Sequence, residues 1–179
     1  MRAMLFSSGE LGYKQVSPAA VCERFGGSPS QFFSEFASEA DCFAAAYEVE
    51  ADRLHGLLSS CIERKGPCRE RAEAAITELA ELAATEPEIA KALFIEVHVA
   101  GGAPLMAHRE LMRRLARSIE DTCGGGTIGA TPSVTAEFMV GAIEQAISSS
   151  LARETPEELR EATPELAVIL SRFYGPEDD

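Results

Sequence analysis

Two polar side chains interrupt an otherwise apolar stretch, Glu96 and His98 in Phe94-Ile95-Glu96-Val97-His98-Val99. A carboxylate and an imidazole there could orient a small molecule inside a helical bundle, or could satisfy each other as a core pair. The other reactive residue types form no recognisable catalytic pattern. Cys22, Cys42, Cys61, Cys68 and Cys123 are odd in number and lack Cys-x-x-Cys spacing, so they read as free thiols, several of them small buried hydrophobes. His55, His98 and His108 share no ligand motif, and none has a cysteine at zinc-site spacing, so no metal is expected. Gly124-Gly125-Gly126-Thr127-Ile128-Gly129 has neither the Gly-Lys-Ser/Thr tail nor the preceding strand of a phosphate cradle, and reads as a flexible loop. No nucleophile stands at recognisable spacing from a base. An enzyme is not expected, and no cofactor is implied.

Helices must position these groups. Ser17-Pro18, Ser28-Pro29, Thr131-Pro132, Thr155-Pro156 and Thr163-Pro164 each put a capping hydroxyl before a proline. The hydroxyl accepts an orphan backbone N–H of the first turn, and proline at the first helical position has no N–H to leave unpaired. Thr155-Pro156-Glu157-Glu158 adds a capping-box glutamate, and Ser38-Glu39-Ala40-Asp41 a shorter acid in the same role. No run of β-branched residues alternates as a strand would. The class is therefore all-α. The pattern predicts nine helices, over residues 1–11, 18–25, 29–36, 39–64, 67–84, 87–100, 104–122, 132–153 and 156–174, with a bend in the last at Pro164. They divide into a three-helix head, residues 1–47, and a six-helix bundle, residues 48–179.

Two short helices joined by Gly26-Gly27 and preceded by a third are the minimum for a helix-turn-helix. Val16, Val21, Phe25, Phe32, Phe36 and Phe43 fall where the three would share a small core. The second short helix would be roughly 12 Å long, a length that fits a DNA major groove.

On these residues the chain resembles the TetR family. Gly12-Tyr13-Lys14-Gln15-Val16-Ser17-Pro18-Ala19-Ala20-Val21 is similar to the opening of the family's second helix. Gly26-Gly27-Ser28-Pro29-Ser30-Gln31-Phe32-Phe33-Ser34-Glu35-Phe36 resembles its turn and recognition helix, and Ser38-Glu39-Ala40-Asp41-Cys42-Phe43-Ala44-Ala45-Ala46-Tyr47 the start of its fourth helix. The resemblance implies a DNA-facing set of Pro29, Ser30, Gln31, Phe33, Ser34, Glu35 and Lys14. In that set Gln31 could pair with adenine and Glu35 could accept from cytosine, while Ser30 and Ser34 could reach bases or phosphates. The chain departs from the family in three respects. Phe33 stands where the family has a tyrosine and Glu39 where it has a lysine, both of which meet phosphates. The first helix is also shorter, so either the sequence starts inside it or its contacts are absent.

Charge sharpens that departure. The chain carries 16 Lys and Arg against 29 Asp and Glu, a net −13. Within residues 1–50 the bases Arg2, Lys14 and Arg24 face the acids Glu10, Glu23, Glu35, Glu39, Asp41, Glu48 and Glu50. Phosphate affinity comes from Lys and Arg displacing counterions, so binding should be weak for such a head.

The resemblance further implies a ligand pocket and a homodimer in the helices after the head. Candidate wall residues are Leu54, Leu58, Phe94, Glu96, Val97, His98, Met106, Met112, Phe138 and Met139, with plain core as the alternative for each. So few polar residues suit a small apolar or amphipathic effector. The last two helices carry the stripes Met139, Ile143, Ile147, Leu151 and Leu166, Ile169, Leu170, Phe173, beside the small Gly141, Ala142, Ala146 and Ser149. These stripes form either the dimer interface or the monomer's own core. No apolar run approaches the roughly 18 residues that span a bilayer, and Met1-Arg2-Ala3-Met4-Leu5-Phe6 is too short for a signal peptide. The expectation is a cytoplasmic, homodimeric, ligand-responsive regulator, a repressor bound to a double-stranded DNA operator. The alternative is the same scaffold serving as a binding module without DNA affinity.

Overall fold

The computed structural model describes residues 1–123 and 132–172. Among these it has nine helices and no strand. The head consists of α1 (Arg2–Leu11), a 3-10 turn (Tyr13–Gln15), α2 (Pro18–Phe25) and α3 (Pro29–Glu35). The long α4 (Glu39–Ile62) leads into α5 (Cys68–Thr85). Next comes α6, residues 87–100, with a π-helical turn at Ala92–Glu96 inside it. The chain continues with α7 (Gly102–Cys123), α8 (Pro132–Arg153) and α9 (Pro156–Arg172). The glycine-rich stretch, the Thr131 cap and Phe173 lie outside the described residues.

Caps set the helix starts. Ser17 Oγ accepts the Ala20 N–H at 3.2 Å, and Ser38 Oγ accepts that of Asp41 at 3.1 Å. Ser28 does the same for Gln31 at 3.3 Å. Gln31 answers by accepting the Ser28 N–H at 2.9 Å, which closes a reciprocal capping box. At the far end α9 runs on through Pro164. The hydroxyl of Thr163, just before it, bonds the Leu159 carbonyl at 3.0 Å.

One core joins head and bundle. Met4, Leu5, Val16, Val21, Phe32 and Phe43 of the head are buried together, continuous with Tyr47, Leu54, Leu58, Leu93 and Leu111. The division at residue 47 therefore falls inside α4, on a tyrosine that belongs to the shared core. Phe25 departs from the expected head core. It is 47% exposed, packed edge-on to Phe6 at 5.8 Å with the Arg24 guanidinium over both rings.

The seam between α1 and α6 fixes where the head sits. A Cβ on Gly9 would lie 1.8 Å from the Glu88 carbonyl oxygen, so only glycine allows α1 this close to α6. Beside the seam, Glu50 is buried and its carboxylate accepts from Arg2 at 2.8 Å and Arg53 at 2.9 Å, while Arg2 also pairs with Glu86. A buried carboxylate is tolerable only with such partners. Among the described residues no helix is long and apolar enough to cross a membrane.

Candidate functional site

The head presents Pro29, Ser30, Gln31, Phe33, Ser34 and Glu35 to solvent, while Phe32 turns into the core. Phe33 is 56% exposed, its ring edge-on to Phe32 at 5.3 Å. Most of the polar groups are already bonded within their own helix. Ser34 Oγ donates to the Gln31 carbonyl at 2.7 Å, and the hydroxyls of Ser28 and Ser30 lie 3.0 Å apart. Gln31 Oε1 is held by the capping box. Bidentate contact with adenine needs both ends of the Gln amide, so Gln31 must loosen that box to read a base.

Cations are scarce on this end. Arg2 is committed to Glu50 and Glu86, and Arg24 to Glu10. Of the head's three bases only Lys14, which is exposed, lacks an ion pair among the described residues. Glu39 and Asp41 crowd the first turn of α4, where the helix dipole favours them. Burial, and after it the Glu39 charge, push the Tyr13 phenol up from its ordinary value.

The bundle holds a partly open apolar cavity of about 80 Å³. Its walls include Leu58 of α4, Ile76 of α5, Phe94 of α6, Met112 of α7 and Met139, Ile143 and Ile147 of α8. Two open grooves adjoin it. One, of about 470 Å³, runs between α6, α7 and α8 past His98, His108, Arg109 and Gly141. The other, of about 620 Å³, lies between α6 and α8 past Phe94, Val99, Gln145 and Ser148. Glu144 lines all three spaces.

Of the expected wall residues, the structure places Leu58, Phe94, His98, Met112 and Met139 on these surfaces. The other five are elsewhere. Leu54 and Val97 are packed in solid core, while Met106 and Phe138 are 57% and 63% exposed. Glu96 is turned away from the cavity, and its Oε2 accepts the Tyr13 backbone N–H at 2.7 Å. Glu96 and His98 do not pair, because residues two apart on a helix face different sides.

The dimer stripes also need correction. Met139, Ile147, Leu151 and Leu170 are buried within the monomer, and Ile143 and Leu166 are half-buried against the same core. Periodicity identifies an apolar face but not whether it meets its own chain or another. The outward side of α8 is instead Phe138, Gly141, Ala142 and Gln145, and Ile169 of α9 is 51% exposed.

Sequence reasoning missed a polar chain at the cavity mouth. Tyr47 and His108 are buried, with the phenol oxygen 2.7 Å from His108 Nδ1. His108 Nε2 lies 2.7 Å from Glu144 Oε1, and His98 Nε2 lies 3.2 Å from the same oxygen. The His108 hydrogen bond, aided by the charges of both histidines, holds the Glu144 carboxyl below its usual range despite burial. Ionised Glu144 only accepts, so both Nε2 atoms donate to it, and His108 Nδ1 and the Tyr47 hydroxyl share the remaining hydrogen bond. Burial first, then the Glu144 charge, push the Tyr47 phenol far up, so it keeps its proton. His98, His108 and Glu144 offer ligand-type atoms within 4.8 Å of one another, a convergence that no sequence motif marks.

An all-helical chain with a helix-turn-helix head on a helical bundle of this arrangement has the fold of TetR-family transcriptional regulators. Among solved structures it is similar to the fatty acid degradation regulator FadR from Bacillus halodurans, with a TM-score of 0.80 and 12% identity over 98% of this chain and 96% of that one. FadR from Bacillus subtilis in complex with stearoyl-CoA matches with a TM-score of 0.79 and 13% identity, over 96% and 97% of the two chains. A TetR-family regulator from Syntrophomonas wolfei matches with a TM-score of 0.70 and 18% identity, over 94% and 91%. No protein-family model and no curated protein matches the sequence.

Proposed function

We propose that this chain is a DNA-binding transcriptional regulator, a repressor released when a small apolar or amphipathic effector enters the bundle. The observation that carries this reading is the double duty of α6. Phe94 and His98 on this helix line the cavity and grooves. The same helix holds the head, through the Glu88 carbonyl against Gly9 and the Glu96 carboxylate on the Tyr13 N–H. An effector that moves α6 moves the head with it. The π-helical turn at Ala92–Glu96 carries both Phe94 of the cavity wall and Glu96 of the head contact, a local irregularity often found at functional sites. The effector acts by binding the two arrangements with different affinity.

The apolar cavity would take the end of the effector's hydrophobic part, the groove between α6 and α8 the rest of it, and the groove past Arg109 its polar part. The stearoyl-CoA bound by the Bacillus subtilis neighbour is amphipathic in this sense and supports the class. Two subunits would pair through the outward side of α8 and place their α3 helices in successive major grooves, about 34–36 Å apart. The scarcity of unpaired cations in the head favours a second reading, in which the scaffold binds its ligand but has lost DNA affinity.

Stearoyl-CoA tests the first reading when added to the chain bound to the DNA flanking its own gene. Release of the DNA, with a rise in melting temperature, is expected, since a ligand at 100 times its Kd stabilises by about 2.7 kcal/mol. If neither stearoyl-CoA nor a panel of other apolar and amphipathic molecules raises the melting temperature, the pocket is not an effector site.

A further inference from the structure

Three ligand-type side chains from three helices converge where the grooves meet the cavity. His98 comes from the end of α6, His108 from α7 and Glu144 from the middle of α8. Glu144 Oε1 lies 2.7 Å from His108 Nε2 and 3.2 Å from His98 Nε2. Two donors on one tetrahedral ion, each about 2.0–2.1 Å from it, stand roughly 3.3 Å apart. The His98–Glu144 separation is already close to that, and the His108–Glu144 pair, now a hydrogen bond of 2.7 Å, would have to open slightly. Only the distance between the two imidazoles, within 4.8 Å, has room to close. The His98 side chain is 49% exposed at the helix end, so it can move, whereas that of His108 is 3% exposed and fixed.

We propose that His98, His108 and Glu144 bind a divalent zinc-class ion, with a coordination position left open toward the groove between α6, α7 and α8. The donor chemistry selects the metal. Two imidazoles and a carboxylate suit zinc, cobalt or nickel, whereas magnesium and calcium take oxygen ligands. Tyr47 supplies what a ligating histidine needs at its other nitrogen, a buried polar partner that fixes the ring. With the ion on Nε2, the His108 proton sits on Nδ1 and is donated to the Tyr47 hydroxyl, which accepts as readily as it donates. The groove of about 470 Å³ at the open position has room for a water or a small anion, with Arg109 on its wall. The ion would tie together α6, α7 and α8, and this holds whether or not the head binds DNA.

Zinc titration of the reduced full chain by calorimetry, with cobalt absorbance alongside, tests the site. One ion per chain is expected, with cobalt bands of a low-coordinate nitrogen–oxygen site and no thiolate charge-transfer band. Removing an outer partner of a ligand costs roughly 10- to 100-fold in affinity, so Tyr47→Phe should weaken zinc about 10-fold, and His98→Ala or Glu144→Gln by about 100-fold or more. Magnesium should have no effect. His98 is exposed, so His98→Ala keeps the fold, which an unchanged melting curve without metal confirms. Absence of zinc binding at micromolar concentration, affinity unchanged in His98→Ala, or a thiolate band showing cysteine ligation would each overturn the proposal.

Discussion

The exposed face of α3 and the polar chain at the cavity mouth solve the same problem, the partnering of polar groups, in different ways. On α3 the bonds are local, from Ser28 to Gln31 and from Ser34 back to the Gln31 carbonyl. At the cavity mouth Tyr47 meets His108 from 61 residues away, and His108 meets Glu144 from 36 away. The local bonds are weakly held in water and can be exchanged for a partner's groups. The long-range chain sits at a low-dielectric site, where a broken link leaves a polar group unpaired at a cost of about 1–3 kcal/mol. On the proposed reading the head is thus a surface that would have to rearrange to meet DNA, whereas the polar groups of the bundle are already partnered with one another.

That contrast is sharpened first at the seam between the two regions. Gly9→Ala should cost about 3 kcal/mol, because overpacking against a backbone carbonyl cannot be relieved by a rotamer change. A Cβ at Gly56, on the exposed side of α4, meets nothing within 4 Å. Gly56→Ala should therefore stabilise by about 0.5–1 kcal/mol. Urea midpoints of the two variants read the difference. Equal shifts would show that α1 does not dock on α6 this closely.

Glu96→Ala removes the acceptor of the Tyr13 N–H and should cost about 1 kcal/mol. Hydrogen exchange of the Tyr13 amide should quicken while amides deep in α7 stay protected. Uniform loss of protection would mean that Glu96 supports the whole fold rather than the link to the head.

The smallest effect is a pH slope. Burial, then the Arg114 charge, hold the His55 imidazole below its ordinary 6.5, with Asp52 and Glu63 opposing. The unfolded chain takes up the proton as pH falls through about 6.5, whereas the folded chain does so only at lower pH. Stability should therefore decline from neutral pH toward the acid side until the folded value is reached. His55→Asn should flatten that decline in melting temperature, and an unchanged slope would assign it elsewhere.

The helix starts were legible because capping is local. Ser17, Ser28 and Ser38 each announce a helix three residues before the N–H they satisfy. The recognition-type helix and its glycine turn were legible for the same reason. His108 and Glu144 were not, since their meaning depends on which helices the fold brings side by side. Glu96 was noticed as polar within an apolar run, but its partner is a backbone N–H at Tyr13 that no motif records. The stripes on α8 and α9 are legible as apolar, but periodicity leaves open whether they meet a second subunit or the chain's own core, and much of them faces the chain's own α5 and cavity.

DNA binding by the head is the claim on which the regulator reading depends, and a titration against the DNA flanking its gene at several salt concentrations tests it most directly. The wild-type chain should bind weakly, with a shallow salt dependence. Glu39→Lys should steepen the log–log slope by about 0.9, the value for one further neutralised phosphate. It should also cost about 0.3–1 kcal/mol of stability at the start of α4, where the dipole favours an acid. Phe33→Tyr should tighten binding with little change in slope, and neither substitution should alter the preferred sequence, because phosphate contacts position a protein without reading bases. If the wild-type chain and the Glu39→Lys, Phe33→Tyr double variant both fail to bind at the lowest salt, the head is not a DNA-binding unit and the chain is a ligand-binding module on this scaffold.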